Sequence, residues 1–125
     1  IAEQKQAAAT AAEEAQAALS ETMSHDEAMA LGEQIYMARC AACHQPNGAG
    51  LQGVFPGLKG SAIAIGPIAA HLDIVIHGKT GTAMQAFGKQ ITAKELAAVV
   101  TYERNAWGNN TGDTVQAADV NNHGQ

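Results

Sequence analysis

The chain has 125 residues and a formal net charge of −5 at pH 7, a length that fits one domain with room for a linker or tail. Aromatic residues make up only 4% of it and glycine occurs 13 times, so the side chains that fill an ordinary core are scarce. No run of about 18 apolar residues exists, which argues against a membrane-spanning segment in this sequence, and we expect no nucleic-acid partner.

Residues 1–23 are rich in alanine, glutamine and glutamate and lack a stripe of large apolar side chains. Alanine and glutamate favour helix, but such a helix has little to bury against a core. We therefore predict a solvated helical linker here. Because the sequence starts at Ile1 without a basic and apolar leader, we expect a processed form or an excised fragment.

A helix is predicted to begin after Ser24, with Glu27 completing a capping box, and to run to about Arg39. Gly32 lies in the middle of this helix, where glycine costs about 1 kcal/mol relative to alanine. The close approach of another helix would offset that cost.

The helix leads into Cys40-Ala41-Ala42-Cys43-His44. Two thiols at this spacing can each add across a vinyl group of one haem, and the adjacent histidine can ligate the iron. A thioredoxin-like redox pair or half of a zinc site are the alternatives, but no βαβ pattern and no second ligand pair support them. We therefore predict one covalent haem c, which uses both cysteines of the chain.

Beyond the motif, a region rich in glycine and marked by proline covers residues 45–66, and a short apolar helix is predicted from about Pro67 to His77. Thr92 and Glu95 form a second capping box, which starts a helix that ends before Gly108. No segment shows sustained two-residue alternation. The sequence predicts an all-α fold of about three main helices and long loops around the haem.

The sixth iron ligand has several candidates among the methionines and histidines, namely Met23, Met29, Met37, Met84, His25, His71, His77 and His123. Met84 is favoured because it lies in a loop of small residues between two helices, although a methionine in a loop is often only a flexible filler. His71 and His77 are its main rivals. Histidine and methionine together raise the reduction potential, which suits an electron carrier.

His44 needs an acceptor for its second ring nitrogen, and the Pro56 carbonyl is a candidate. An ordinary turn is an equally good interpretation of Pro56. Leu58 would then press on the haem face.

These residues, together with 45–50 and 54–61, resemble a monohaem cytochrome c of the mitochondrial-like fold over about Ser24 to Trp107. The resemblance implies His44 and Met84 as axial ligands, Pro56 as the partner of His44, and crossing of the first and last helices at Gly32 and Tyr102. Gln85 replaces the usual proline after the ligand methionine.

Residues 95–109, and beyond them Gly112, Asp113, Val115 and Gln116, are similar to the carboxyl end of subunit II of caa-type cytochrome c oxidases, which carry a fused cytochrome c domain. This resemblance implies a linker over 1–23, a haem domain over 24–107 and a polar tail over 108–125. Ala117 stands where similar sequences often have proline.

The same resemblance implies a function. The domain would pass single electrons from a soluble cytochrome c or a quinol-oxidising complex to the dinuclear copper centre of the same oxidase subunit, on the periplasmic side of a bacterial inner membrane. We expect a membrane-anchored parent protein, no membrane insertion by this segment, no catalytic side chain and no complete enzyme.

Three alternatives stay open: a free periplasmic cytochrome c, an open-site haem peroxidase or sensor, and a purely structural metal module.

The haem-bearing stretch is locally basic, with Arg39, Lys59, Lys79, Lys89 and Lys94 against Asp73. These cations are predicted to steer an acidic redox partner, unless they are ordinary surface lysines.

Overall fold

A computed structural model describes residues 22–82 and 84–123, and within them the chain forms six α-helices. They are α1 (His25–Arg39), α2 (Ala41–His44), α3 (Ala62–Ile65), α4 (Ile68–His77), α5 (Ala93–Asn105) and α6 (Ala117–His123). This part of the chain contains isolated bridges but no β-strand, which confirms the predicted all-α fold. Nearly all of the predicted linker lies outside the described residues.

Both predicted N-cap residues are present at the two longest helices, but the predicted capping box is complete only at α5. At α1, the Ser24 hydroxyl accepts a hydrogen bond from the Glu27 backbone N–H at 3.1 Å. At α5, Thr92 Oγ1 accepts from the Glu95 N–H at 3.1 Å, and the Glu95 carboxylate accepts from the Thr92 N–H at 2.9 Å. The chain thereby satisfies backbone donors that a helix start leaves without partners.

Helices α1 and α5 cross at Gly32. A Cβ added to Gly32 would collide with the Ala98 carbonyl oxygen and would lie 2.7 Å from Tyr102 Cβ. Only a residue without a side chain allows this approach, so the predicted reason for a mid-helix glycine is confirmed. Leu96 and Val99 of α5 are buried as well.

The segment after α5 packs back onto the helices. Val115 and Val120 are fully buried, and the Val115 N–H donates to Thr101 Oγ1 on α5 at 2.9 Å. The Gln116 side chain accepts from the Met23 N–H at 2.8 Å and donates to the Met23 carbonyl at 3.0 Å. The described part of residues 108–125, predicted as a polar tail, therefore contributes to the core and holds the start of α1.

None of the helices in residues 22–82 and 84–123 has both the length and the apolar character needed to cross a membrane.

Candidate haem-attachment site

The two cysteines lie at the end of α1 and in the short helix α2. The Cys40 N–H donates to the Tyr36 carbonyl at 2.8 Å, and the His44 N–H donates to the Cys40 carbonyl at 3.0 Å, so the chain turns tightly between the helices. Both thiols are free and half-buried. Residues three apart on a helical turn lie on the same side, and both sulfur atoms are thus available to one flat partner.

The Cys40 thiol lies in an apolar setting. Burial, followed by the charge of Glu103 and the neighbouring Cys43, raises the pKa of Cys40 to about 12, while Arg39 acts in the opposite direction. The thiol is therefore protonated at neutral pH. These surroundings suit a bulky apolar partner.

His44 is 9% exposed, and its ring is held in one orientation. Its Nδ1 lies 2.8 Å from the Pro56 carbonyl oxygen. A carbonyl can only accept, so Nδ1 carries the proton and Nε2 keeps a free lone pair. This hydrogen bond is the one proposed for Pro56 from the sequence, and it leaves Nε2 as the atom able to ligate iron.

The loop that presents Pro56 is tightly folded. Gly50 has a φ of +70°, and a Cβ there would lie 2.6 Å from backbone atoms of residues 55–57. The Gly50 N–H donates to the His44 carbonyl at 2.9 Å. Leu58 is half-buried and packs against the core, and its proposed contact with a haem face stays a prediction.

Met84 lies in the segment between α4 and α5, partly buried against the core. Its N–H donates to Thr82 Oγ1 at 3.2 Å, and its carbonyl accepts from the Lys79 N–H at 3.2 Å. Gly78, with φ +72°, leaves no room for a Cβ beside the Met84 carbonyl, at 2.7 Å. The Met84 backbone is thus held against Gly78 and Lys79, while Met84 as an iron ligand remains a prediction.

The two rival histidines have other partners or positions. His71 is 2% exposed and its Nε2 lies 2.8 Å from the Glu103 carboxylate. The His77 side chain is 51% exposed and faces Asp73 at 4.0 Å. These environments favour Met84 over both.

Asn109 is a residue that sequence reasoning missed, and it is 5% exposed. Its amide NH₂ donates to the carbonyls of Leu58 at 3.0 Å and Glu103 at 2.8 Å, and its Oδ1 accepts from the Gly60 N–H at 2.7 Å. Asn109 therefore joins the loop behind Pro56 to the end of α5. In the sequence it stands in a polar cluster after a helix, which signals a helix end and nothing more.

Three aromatic rings pack behind the motif. The Tyr36 centroid lies 5.5 Å from that of Tyr102 and 4.9 Å from that of Trp107. The Tyr36 hydroxyl donates to the Gln45 carbonyl at 2.6 Å, and Trp107 Nε1 donates to the Pro46 carbonyl at 3.0 Å. The cluster anchors the chain immediately after His44 to both long helices.

The donor set fits a c-type haem better than a metal ion held by side chains alone. Within residues 22–82 and 84–123, no three or more histidine, cysteine, aspartate and glutamate side chains converge on a point that could hold a metal ion. Two protonatable thiols one turn apart and an oriented imidazole are what a covalently attached porphyrin requires.

Comparison with known proteins gives the same result. Residues 27–102 match a family model described as "Cytochrome C oxidase, cbb3-type, subunit III". The chain is 32% identical to the cytochrome c subunit of alcohol dehydrogenase (quinone) from Gluconacetobacter polyoxogenes, over 71% of this chain and 21% of that protein. It is 34% identical to the cytochrome c subunit of gluconate 2-dehydrogenase from Pantoea cypripedii, over 71% and 23% respectively.

The chain thus spans about a fifth of the length of these dehydrogenase subunits. A Thermus thermophilus cytochrome c-552 is 34% identical over 62% of this chain and 68% of its own length. All of these relatives are cytochromes c or cytochrome c subunits, and the family implies haem c as the cofactor. The chain belongs to the cytochrome c family described as cbb3-type cytochrome c oxidase subunit III, and it is an electron-transfer domain.

Proposed function

We propose that this domain carries single electrons through one covalent haem c to the dinuclear copper centre of a terminal cytochrome c oxidase. The observation that carries the proposal is the hydrogen bond from His44 Nδ1 to the Pro56 carbonyl, at 2.8 Å, beside two free thiols. When bound, the haem supplies a one-electron ferric/ferrous couple.

The residues have distinct roles in this proposal. Cys40 and Cys43 would form the thioethers, His44 Nε2 and Met84 would ligate the iron, and Leu58 would pack on the haem. A thioether donor favours ferrous iron more than a second imidazole does, so it raises the potential. No side chain has to abstract a proton from a substrate, so the domain alone is a carrier and not a complete enzyme.

The resemblance of residues 95–116 to subunit II of caa-type oxidases supports the proposed acceptor. A quinol-oxidising complex or a soluble cytochrome c would be the donor in the respiratory chain. The thioethers form outside the cytoplasm, so we place the domain on the periplasmic side of a bacterial inner membrane. A linker over 1–23 would join it to a membrane-anchored copper domain.

A second candidate function is electron transfer within a dehydrogenase complex, before electrons reach the oxidase. The named relatives include cytochrome c subunits of quinone-dependent alcohol dehydrogenase and of gluconate dehydrogenase. In that case, the domain would receive electrons within a dehydrogenase complex. A diffusible carrier is a third possibility, which the similarity to cytochrome c-552 favours.

The proposal is tested with the 125-residue chain, matured with haem and reduced chemically. Stopped-flow mixing of the reduced chain with an isolated, oxidised dinuclear-copper domain should show reduction of the copper centre within seconds. Mixing the oxidised chain with the reduced copper domain should lead to the same equilibrium between the two centres. A chain with Cys40→Ala and Cys43→Ala controls for covalent attachment. Pigment that acidified acetone extracts from the unmodified chain would contradict the thioethers.

Failure to reduce the copper domain, combined with rapid reduction by a quinone-dependent dehydrogenase, would favour the second candidate. The coding sequence upstream of Ile1 gives an independent check, because the oxidase proposal requires it to encode a copper domain.

A further inference from the structure

A buried pair of ionisable side chains joins α4 to α5. His71 Nε2 lies 2.8 Å from Glu103 Oε1, and the two side chains are 3% and 5% exposed. His71 Nδ1 is buried and has no hydrogen-bond partner within the described part of the chain. Burying these ionisable groups costs more free energy of folding than burying a well-packed apolar pair in their place. Stability therefore does not explain why the pair is present.

The pair has two charge states. The carboxylate accepts the Nε2–H bond in both, and Nδ1 carries either a lone pair or a proton. With a neutral imidazole the pair bears one negative charge, and with an imidazolium its net charge is zero. Binding one proton at Nδ1 therefore changes the buried charge by one unit.

Glu103 is connected through Asn109 to the loop behind the predicted haem attachment. Asn109 donates to the Glu103 carbonyl and also to the Leu58 carbonyl, in the loop that presents Pro56. The charge of Glu103 also contributes to raising the pKa values of the Cys40 thiol and the Tyr36 hydroxyl. A negative charge at this position therefore acts on the sulfur atom that would bear the porphyrin.

Other charged groups near the pair do not neutralise Glu103. Arg104, on the same helix, is 4% exposed but is occupied by Asp113, with Nε at 3.0 and 3.1 Å and Nη2 at 2.9 Å from its carboxylate oxygens. Asp113 also faces His71, whose charge contributes to lowering the pKa of Asp113 after the hydrogen bonds and charge of Arg104. On α4, Asp73 and His77 lie on the exposed face. Tyr36 and Cys40, across from α5, are uncharged at neutral pH because burial raises their pKa values.

We infer that the His71–Glu103 pair couples one-electron transfer by this domain to the binding of one proton. The inference rests on the proposed function. The carboxylate favours ferric iron, and a proton at His71 Nδ1 offsets it. His71 Nδ1 would take one proton from solvent when the donor cytochrome or complex passes one electron to the bound haem. His71 would return that proton to solvent when the electron passes to the acceptor.

The coupling is expected to appear in the midpoint potential. Reduced protein would bind more protons than oxidised protein over part of the pH range, so the potential falls as pH rises there. Spectroelectrochemical titration of the haem-loaded chain between pH 5 and 9 measures this dependence. In His71→Gln the fall should disappear, because the amide keeps a donor toward Glu103 but does not titrate. In Glu103→Gln the fall should move to lower pH, because the imidazolium loses its carboxylate partner, and the potential should be higher at alkaline pH.

His77→Gln is the matched control, since it removes an exposed imidazole from the same helix, and it should keep the full pH dependence. A potential that does not vary with pH in the unmodified chain would overturn the inference. So would a fall that persists in His71→Gln, since the proton would then bind elsewhere.

Nuclear magnetic resonance of the unmodified chain with labelled histidine decides the matter if a variant fails to fold. The His71 ring signals should change over a higher pH range in the ferrous than in the ferric protein; identical ranges would refute the inference. A covalent haem spectrum with a pH-independent potential would refute the proton coupling but not the proposed electron transfer. Absence of bound haem would refute both the coupling and the electron transfer.

Discussion

Met84 determines whether the iron in the proposed site is closed to external ligands. The residue is partly buried and its carbonyl accepts a hydrogen bond from the Lys79 N–H, which suits a fixed ligand. We predict that the ferrous haem-loaded chain does not bind carbon monoxide at neutral pH and that Met84→Ala binds it readily. The visible spectrum before and after adding the gas measures this.

Met37→Ala is the control for that prediction, because Met37 is 44% exposed and lies on α1. Its spectrum should be unaffected by carbon monoxide. Ready binding by the unmodified chain would instead favour the open-site peroxidase or sensor and would remove Met84 as a ligand.

Asn109 forms hydrogen bonds with backbone groups of Leu58, Gly60 and Glu103, which are distant from one another or from Asn109 in the sequence. Replacing it with alanine removes hydrogen bonds from backbone groups of Leu58, Gly60 and Glu103. The bond to Glu103 is buried and the other two are partly buried, and each such loss is costly. We predict that Asn109→Ala lowers the free energy of unfolding by about 2–4 kcal/mol. Urea denaturation followed by circular dichroism measures it, with the exposed neighbour Asn110→Ala as a control that should change little.

The site contacts that the sequence predicted are those between residues close together in the chain. The spacing of Cys40 to His44 is local, and the partner Pro56 is 12 positions from His44. Asn109 and Leu58 are 51 positions apart, and His71 and Glu103 are 32 apart. Such contacts are created only when the helices pack, and no local pattern in one sequence marks them.

Among the helices, the crossing of α1 and α5 depends on the space at Gly32. Alanine there would gain helix propensity of about 1 kcal/mol, but its Cβ would collide with the backbone of α5 at Ala98. Overpacking of this kind outweighs the gain, and we predict a net loss of roughly 2 kcal/mol or more in the free energy of unfolding of Gly32→Ala. Denaturant titration measures it.

The exposed neighbour Glu33→Ala controls for a general effect of substitution in α1, with an expected change within about 0.5 kcal/mol. A Gly32→Ala variant more stable than the unmodified chain would show that the helices can separate at no cost.

Capping boxes and turn residues allowed α1, α4 and α5 to be predicted to within a residue or two, because caps are local hydrogen bonds. The packing of α6 was not predicted. Its buried residues are few and small, including Ala117 and Val120, and α6 has only 7 residues. Its position depends on tertiary bonds from Gln116 to Met23, which no periodicity reveals.

The end of α5 is tied to the following segment by Arg104 and Asp113, 2.9 Å apart. Burial alone would raise the pKa of Asp113, but hydrogen bonds from Arg104 and Thr111 and the charge of Arg104 lower it below its usual value. A carboxyl group with a lowered folded-state pKa stabilises the fold above its unfolded pKa, and this contribution is lost as pH falls through the folded pKa.

Asp113→Asn is therefore expected to be less stable than the unmodified chain by about 1–3 kcal/mol at pH 7, a value reduced by the partial exposure of Asp113. The difference should shrink below about pH 4. Urea titrations from pH 7 to 2 measure it, with the exposed Glu33→Gln as control. A constant difference at all pH values would show that the ionised carboxylate contributes nothing.

For the molecule as a whole, charge is distributed unevenly around the site. The chain carries a net charge of −5, yet Lys79 and Lys89 are exposed at the two ends of the segment that contains Met84. Cations placed around an otherwise acidic protein raise the rate of encounter with an acidic partner. This placement supports the predicted steering of an acidic redox partner to the Met84 side.

Single reversals Lys79→Glu and Lys89→Glu are each expected to slow second-order electron transfer to an acidic copper domain several-fold at low ionic strength. The rates should converge with that of the unmodified chain near 0.5 M salt, where charges separated by more than several ångströms are screened. Lys94→Glu makes the same change in net charge at the start of α5, beside Glu27 and Leu31 of α1, and should slow transfer less. Equal effects of all three reversals would mean that net charge alone acts, and unchanged rates at low salt would remove electrostatic steering by these lysines.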